Sequence, residues 1–403
     1  MNHFFADLHI HIGRSSDGRP VKITASRDLT FENICVESVE RKGIQVAGII
    51  DCASPAVIDD IKRLVEAGEM EPLAGGGLRY HGELVVILGA ELETHEEQGG
   101  LSHHICFLPD LATLEEFSRA MARKVTNMQL SSQQCHMPAN LLAKEVLARE
   151  GLFIPAHAFT PHKSLYGACA ATLRSVFEES VLERIPAIEL GLSADTSIAD
   201  RLSELRDMTF LSNSDAHSLP KIAREYNIVA MPEPSFAGLR GALERRGGAG
   251  IAGNFGLDPR LGKYHRSFCE TCDEVVLEPP PTFRCSRCDG DRVTAGVLDR
   301  IVAIADQDES LSPDHRPPYR HQVPLEFVPG LGSVKLNALL NRFGTEMRVL
   351  HEAEEDGIAQ VVGSKVARLI IHAREGRLAM DAGGGGRFGR ALPKADDQLS
   401  LGL

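Results

Sequence analysis

Phe4-Phe5-Ala6-Asp7-Leu8-His9-Ile10-His11 opens the chain with an apolar run that ends in two histidines one residue apart. Alternate side chains of a strand share a face, so this spacing puts both imidazoles on one side as a chelating pair. The arrangement recurs downstream. Asp51 closes Val46-Ala47-Gly48-Ile49-Ile50, Glu91 follows Leu84-Val85-Val86-Ile87-Leu88, and His157 follows Leu152-Phe153-Ile154-Pro155-Ala156. Asp215 and His217 follow Thr209-Phe210-Leu211. His104 opens an apolar run, Ile105-Cys106-Phe107-Leu108, and His103 beside it competes for the same role.

Stretches of helical periodicity, such as 139–150, separate the runs, and strands spaced by helices imply parallel pairing. About seven such units in the first ~240 residues predict an α/β barrel, whose strand C-termini converge on one face. On that face His9, His11, Asp51, Glu91, His104, His157, Asp215 and His217 would form one metal cluster. Mixed histidine and carboxylate ligands suit zinc, manganese or iron, and the catalytic ions are expected to be Zn2+, Mn2+ or Mg2+. Eight such residues exceed the needs of one structural zinc and suit two or three divalent ions. Ions about 3.5–4 Å apart can generate hydroxide and stabilise the leaving oxygen of a phosphate ester.

Around this core, 403 residues with 43% hydrophobic and 25% charged side chains indicate two or three ordinary globular domains. No apolar run is long enough for a membrane span, and the first residues lack a signal-peptide pattern, so a cytoplasmic, nucleoid-associated protein is expected. The net charge of −13 excludes a generally basic nucleic-acid coat. It is uneven, however: −11 on residues 1–258 and −2 on residues 259–403, where phosphate is better tolerated.

Of nine cysteines, Cys269, Cys272, Cys285 and Cys288 form two CxxC pairs 12 residues apart. In a chain expected to be cytoplasmic, that spacing predicts one tetrahedral structural Zn2+, without which so small a module does not fold. Phe268, Phe283 and Arg284 beside it are candidates for nucleic-acid contact. A Gly-rich stretch at 247–262 and a polar, Pro-rich one at 306–324 suggest boundaries. The expected division is a metal-dependent phosphoesterase domain at 1–246, a zinc ribbon at 260–305, a helical region at 325–380 and a flexible tail at 381–403. In the helical region Gly330 and Gly332 precede Leu336, Leu339, Leu340 and Phe343, which share a helix face. A second segment places Gly363 before Val366, Leu369 and Ile370. Both look like helix-hairpin-helix elements. Backbone N–H groups at Gly330, Gly332 and Gly363, with Lys335 and Lys365, would then contact DNA phosphates.

The set His9-x-His11, Asp51, Glu91, His104, His157 in Pro-Ala-His-Ala, and Asp215-x-His217 in Ser-Asp-Ala-His resembles the PHP (polymerase and histidinol phosphatase) superfamily. The resemblance implies a distorted seven-stranded (β/α) barrel with a trinuclear metal site, in which Asp215, His157 and Glu91 serve catalysis. It adds two candidate ligands, Asp17 and Cys52, the latter where many members carry histidine. A PHP domain, a zinc ribbon and a helical C-terminal region in that order resemble the endonuclease Q family over residues 3–380. This implies a metal-dependent endodeoxyribonuclease of DNA repair. It would nick DNA 5′ of deaminated bases (uracil, hypoxanthine, xanthine) and abasic sites by metal-activated water attack. Such chemistry calls for extrusion of the damaged base, with Phe159 and Tyr166 as stacking candidates. No phosphate-binding GxxxxGK[ST] loop is present, which excludes an ATP-driven motor. The alternatives are a small-molecule phosphatase of the histidinol-phosphate type and a non-catalytic DNA-binding protein. Finally, Gln398-Leu399-Ser400-Leu401-Gly402-Leu403 looks like the QLxLxL peptide that binds the bacterial sliding clamp, with Gln398, Leu399, Leu401 and Leu403 as the contact residues.

Overall fold

The computed structural model describes residues 1–97, 99–381 and 383–392. Its centre is a ten-stranded mixed sheet in an α/β arrangement. Strand Asn2–Ile10 pairs in parallel with Val46–Ile49, which pairs in parallel with Leu84–His95. The next two steps reverse direction. Leu84–His95 runs antiparallel to Leu101–Leu108, and that strand runs antiparallel to Leu152–Pro155. The expected parallel order therefore fails there. Only residues 96–100 join the first of these pairs, closed by a Glu96 N–H bond to Gly100 O at 3.2 Å. So short a connection permits a hairpin but no crossover helix. On the other flank, Asn2–Ile10 pairs antiparallel with Tyr226–Met231, and that strand pairs antiparallel with Gly250–Gly256.

Ala187–Glu189 and Thr209–Leu211 form a separate parallel pair. It joins the sheet through side chains: Leu8 N–H donates to Asn213 Oδ1 at 3.2 Å, and Ser212 N–H to Asn227 Oδ1 at 3.0 Å. The strands are apolar without alternation because they are buried on both faces. One face meets Leu142, Val146 and Phe117 of the flanking helices; the other packs Leu8, Ile87, Ile105, Phe107 and Leu211 together. Gly48 and Gly89 make room for the Phe107 ring. A Cβ at either would lie within 2.8 Å of a Phe107 ring carbon.

In the 260–305 segment, Phe268–Cys269 forms the middle of a three-stranded sheet with Glu274–Val275 and Val293–Thr294. Asp299, fully buried, organises it by accepting from Ser267 N–H and Thr282 N–H at 2.9 Å and from Arg266 Nε at 3.1 Å. The chain then returns to the large sheet, where Tyr319–His321 pairs in parallel with Gly250–Gly256. Helices Ser333–Phe343, Glu346–His351, Glu355–Val362 and Ser364–Arg374 follow. They are anchored by a buried ion pair: Lys42 Nζ lies 3.0 Å from Glu346 Oε2 and also donates to Pro220 O at 2.8 Å. Residues 383–389, part of the expected flexible tail, hydrogen-bond back to Arg260, Leu261 and Lys263. Gln398, Leu399, Leu401 and Leu403 lie outside the described residues. Among the described residues no helix is long and apolar enough to cross a membrane.

Candidate metal centre

Five strand ends converge on a cavity of about 910 Å³. His9 and His11 come from the end of Asn2–Ile10, Glu91 from Leu84–His95, and His103 from Leu101–Leu108. His157 follows Leu152–Pro155, and Asp215 and His217 follow Thr209–Leu211. Two groups form. In the first, His9 Nε2 and His11 Nε2 lie 3.5 and 3.3 Å from Asp215 Oδ1. In the second, His103 Nδ1 and His157 Nε2 lie 3.1 and 3.5 Å from Glu91 Oε1. Glu91 links them, its Oε1 standing 3.6 Å from His9 Nε2.

These separations fit a divalent cation. Donor atoms each about 2.0–2.1 Å from one tetrahedral ion sit roughly 3.4 Å apart. His9 Nε2 and Glu91 Oε1 are moreover buried polar atoms without a hydrogen-bond partner. Native proteins seldom tolerate such atoms unless something else satisfies them.

Outer carboxylates aim the imidazoles. Both Glu189 oxygens lie 3.0 Å from His9 Nδ1; the same carboxylate accepts from His157 N–H at 2.7 Å and Asn213 Nδ2 at 2.9 Å. Asp51 stands behind His11, its Oδ2 3.0 Å from Nδ1, and accepts from Ile12 N–H at 2.7 Å and from the Ser131 hydroxyl. A carboxylate behind Nδ1 fixes ring orientation and leaves Nε2 for a metal. Burial opposes charge on His9, but Glu189, Asp215 and Glu91 outweigh it and raise its pKa to about 10. A bound cation would reverse that preference and hold the ring neutral.

The backbone is strained at two of these residues. His157 has φ +29° and Asp215 φ +47°, a region side chains beyond glycine rarely adopt. Gly191 packs against the first; a Cβ there would lie 2.9 Å from His157 Cβ.

No family model matches the chain. YqxK, an uncharacterized protein of Bacillus subtilis, is 46% identical over 395 residues, covering 98% of this chain and 100% of its own. The structure of PfuEndoQ, a lesion-specific endonuclease from Pyrococcus furiosus, matches with a TM-score of 0.83 and 31% identity, over 98% of this chain and 97% of that one. An Endonuclease Q complex with a 27-mer duplex bearing an abasic lesion at the active site matches equally, with TM-score 0.83 and 31% identity over 98% of each chain. The chain belongs to the endonuclease Q family.

In this family member several expected ligands are placed elsewhere. His104 turns away from the cavity. Its Nε2 meets Ser102 Oγ at 2.8 Å and Thr94 Oγ1 at 3.0 Å, its ring stacks on Phe153, and burial depresses its pKa to about 3. His103 takes the cavity position because it pairs in register with Glu93, which shares a face with Glu91. Asp17 is a turn residue held by Arg19 and Ser15 on the surface. Cys52 is a buried thiol that donates to Ile49 O at 3.1 Å; burial keeps it protonated. Asp51, as described, backs His11 rather than joining either group. His217 lines the cavity beside His11, with ring centroids 4.5 Å apart, but belongs to neither trio. Phe159 and Tyr166 are fully buried, stacked on each other at 5.2 Å, and cannot receive a base.

Glu189 escapes the sequence reading, as does Lys22, which lines the cavity with its Nζ 3.1 Å from Glu91 Oε2. Glu189 carries a visible signal, a carboxylate closing the apolar Ala187-Ile188. Lys22 lies in a loop with no periodicity to mark it.

Away from the cavity, the four ribbon sulfurs lie within 4.8 Å of one another, with Cys269–Cys288 and Cys272–Cys285 separations of 3.7 and 3.9 Å. Sulfurs about 2.3 Å from a tetrahedral zinc sit roughly 3.8 Å apart, so this set also fits its ion. Phe283 is 44% exposed, and Arg284 pairs with Asp289. In the helical region, Gly332 and Gly363 cap helices Ser333–Phe343 and Ser364–Arg374, with exposed Lys335 and Lys365 in their first turns. Gly330 adopts φ +81° beside Val366, which brings the two helix starts together.

Proposed function

We propose that this endonuclease nicks damaged duplex DNA on the 5′ side of deaminated bases and abasic sites. Divalent cations would be held by His9, His11, Asp215, Glu91, His103 and His157. The observation that carries the reading is the pair of ligand groups meeting at Glu91, in a chain similar over its whole length to an enzyme solved with an abasic duplex at its active site. Bound divalent cations would lower the pKa of water to about 7 and neutralise charge on the phosphate. The protein's share is orientation. Glu189 and Asp51 set the two imidazoles, and the strained turns at His157 and Asp215 aim those side chains inward. Asp215, with 32% of its side chain exposed against 1% for Glu91, is the cluster carboxylate that substrate can reach. His217 extends the site toward the cavity mouth.

We assign residues 1–246 to a distorted PHP-type barrel, 260–305 to a ribbon holding one structural Zn2+, and 325–380 to helix-hairpin-helix DNA binding. Exposed Lys335 and Lys365 support the last reading; their replacement by alanine should weaken binding alike for all lesions, because phosphate contacts carry no sequence information. The QLxLxL-like end at 398–403 is assigned to the sliding clamp, and deletion of those six residues should abolish clamp binding while sparing nicking of short duplexes.

The deciding assay incubates the purified, metal-loaded protein with labelled duplexes carrying uracil, hypoxanthine, xanthine or an abasic site. Nicks leaving 3′-hydroxyl and 5′-phosphate ends are expected beside the lesion alone. Equal cutting of undamaged DNA, or no cutting of any duplex, overturns the reading.

A further inference from the structure

Opposite the histidines, the cavity wall holds a cation. Lys22 Nζ lies 3.1 Å from Glu91 Oε2 and also donates to the Ser132 hydroxyl. Its side chain is 13% exposed. The backbone beneath it is pinned: Lys22 N–H donates to Ile12 O at 2.9 Å, and Val21 O accepts from Ser131 N–H at 3.0 Å. Ser132 holds its hydroxyl on Glu91 from a left-handed conformation, φ +51°. Strain of this kind gathers where a side chain must be aimed.

The other cations lining the cavity have partners outside the metal groups. Lys163 pairs with Glu93 at 2.8 Å, Lys221 with Glu326 at 2.7 Å, and Arg224 donates to Ser214 O at 2.7 Å. Lys263 lies over the Phe388 ring. Lys22 differs, because its carboxylate is the one that links the two ligand groups. Cations at those groups would draw on the charge of Glu91. The ammonium would then be left in a largely buried site with the Ser132 hydroxyl and a carboxylate whose charge is shared with the cations, an arrangement proteins avoid. A phosphodiester entering the cavity restores the missing negative charge at that place.

Resting on the nuclease reading above, we propose that Lys22, oriented by Ser132, is a phosphate-binding catalytic residue. Its ammonium takes a non-bridging oxygen of the scissile phosphodiester and stabilises the charge that grows there as the bond to the 3′-oxygen breaks. A purely structural counter-ion to Glu91 would instead act through metal retention, and the two roles separate experimentally.

The test uses the full-length, metal-loaded protein and its Lys22→Met and Lys22→Arg variants. Single-turnover nicking of an abasic duplex, bound metal by mass spectrometry, and affinity for an intact duplex and one with a neutral methylphosphonate at the scissile position are measured together. Lys22→Met should slow nicking about 100-fold, as loss of one charge-stabilising donor does, with bound metal unchanged and partial rescue by Lys22→Arg. The methylphosphonate should weaken binding to the wild type several-fold and to Lys22→Met hardly at all. Wild-type nicking by Lys22→Met, metal loss in step with the rate, or an equal methylphosphonate penalty in both proteins overturns the proposal. Failure of the wild-type protein to nick any lesion duplex would instead overturn the nuclease reading.

Discussion

Glu189 grips His9 by its inner nitrogen, with both carboxylate oxygens 3.0 Å from Nδ1. The same side chain accepts the N–H of His157, so one buried carboxylate aligns a residue from each ligand group. Glu189→Gln keeps the size but loses the charge. It should weaken metal affinity about 10–100-fold, as loss of such an outer partner does. Metal titration followed by calorimetry checks this, with circular dichroism confirming an unchanged fold.

The two adjacent histidines should separate cleanly. His103→Ala should lower the number of bound divalent cations and the nicking rate with little change in melting temperature. His104→Ala should retain its metal but lose about 1–3 kcal/mol of stability, because it empties a packed site against Phe153 and removes one hydrogen-bond partner each from the Ser102 and Thr94 hydroxyls. Metal analysis and urea unfolding of both variants decide the assignment; metal loss from His104→Ala would reverse it.

Removal of one ribbon thiolate should act locally. Cys272→Ser should release one equivalent of zinc and expose the 265–295 segment to protease, because ion binding and folding are one process in so small a module. Retention of that zinc would place it elsewhere.

Glu225 provides a pH signature of stability. Burial raises its carboxyl to about 8, with Ser212 Oγ at 3.0 Å and Leu257 N–H at 2.8 Å as partners. A folded-state pKa above the unfolded value means that the folded chain holds the extra proton. Its stabilisation is therefore complete below about pH 4.5 and is lost as pH rises toward 8. Glu225→Gln, neutral at every pH, should remove this slope and melt higher than the wild type at pH 8.5 but not at pH 5. Thermal melts of both proteins across that range give the answer.

Most candidate ligands were legible because they stand at or just beyond the ends of apolar runs. The choice between His103 and His104 was not, since a strand buried on both faces shows no alternation to count. It is decided by register with Glu93, a long-range fact. The separate roles of Asp51 and Asp215 are hidden for a similar reason. Both are aspartates after apolar runs, and only the fold shows that one reaches past His11 while the other stands behind it. The parallel expectation failed where residues 96–100 are too few for a crossover, a signal carried by spacing rather than composition.

The Lys42–Glu346 pair has a consequence for dissecting the protein. Cutting the chain before the C-terminal helices would remove the carboxylate that pairs with Lys42 and uncover the surface of the 37–42 segment on which helix Glu346–His351 packs. Lys42 also holds Pro220, three residues beyond His217. A shortened protein that failed to cut DNA would therefore say nothing about whether the lost helices touch DNA. Point substitutions on their exposed surface can ask that question; truncation confounds grip on the duplex with the integrity of the nuclease itself.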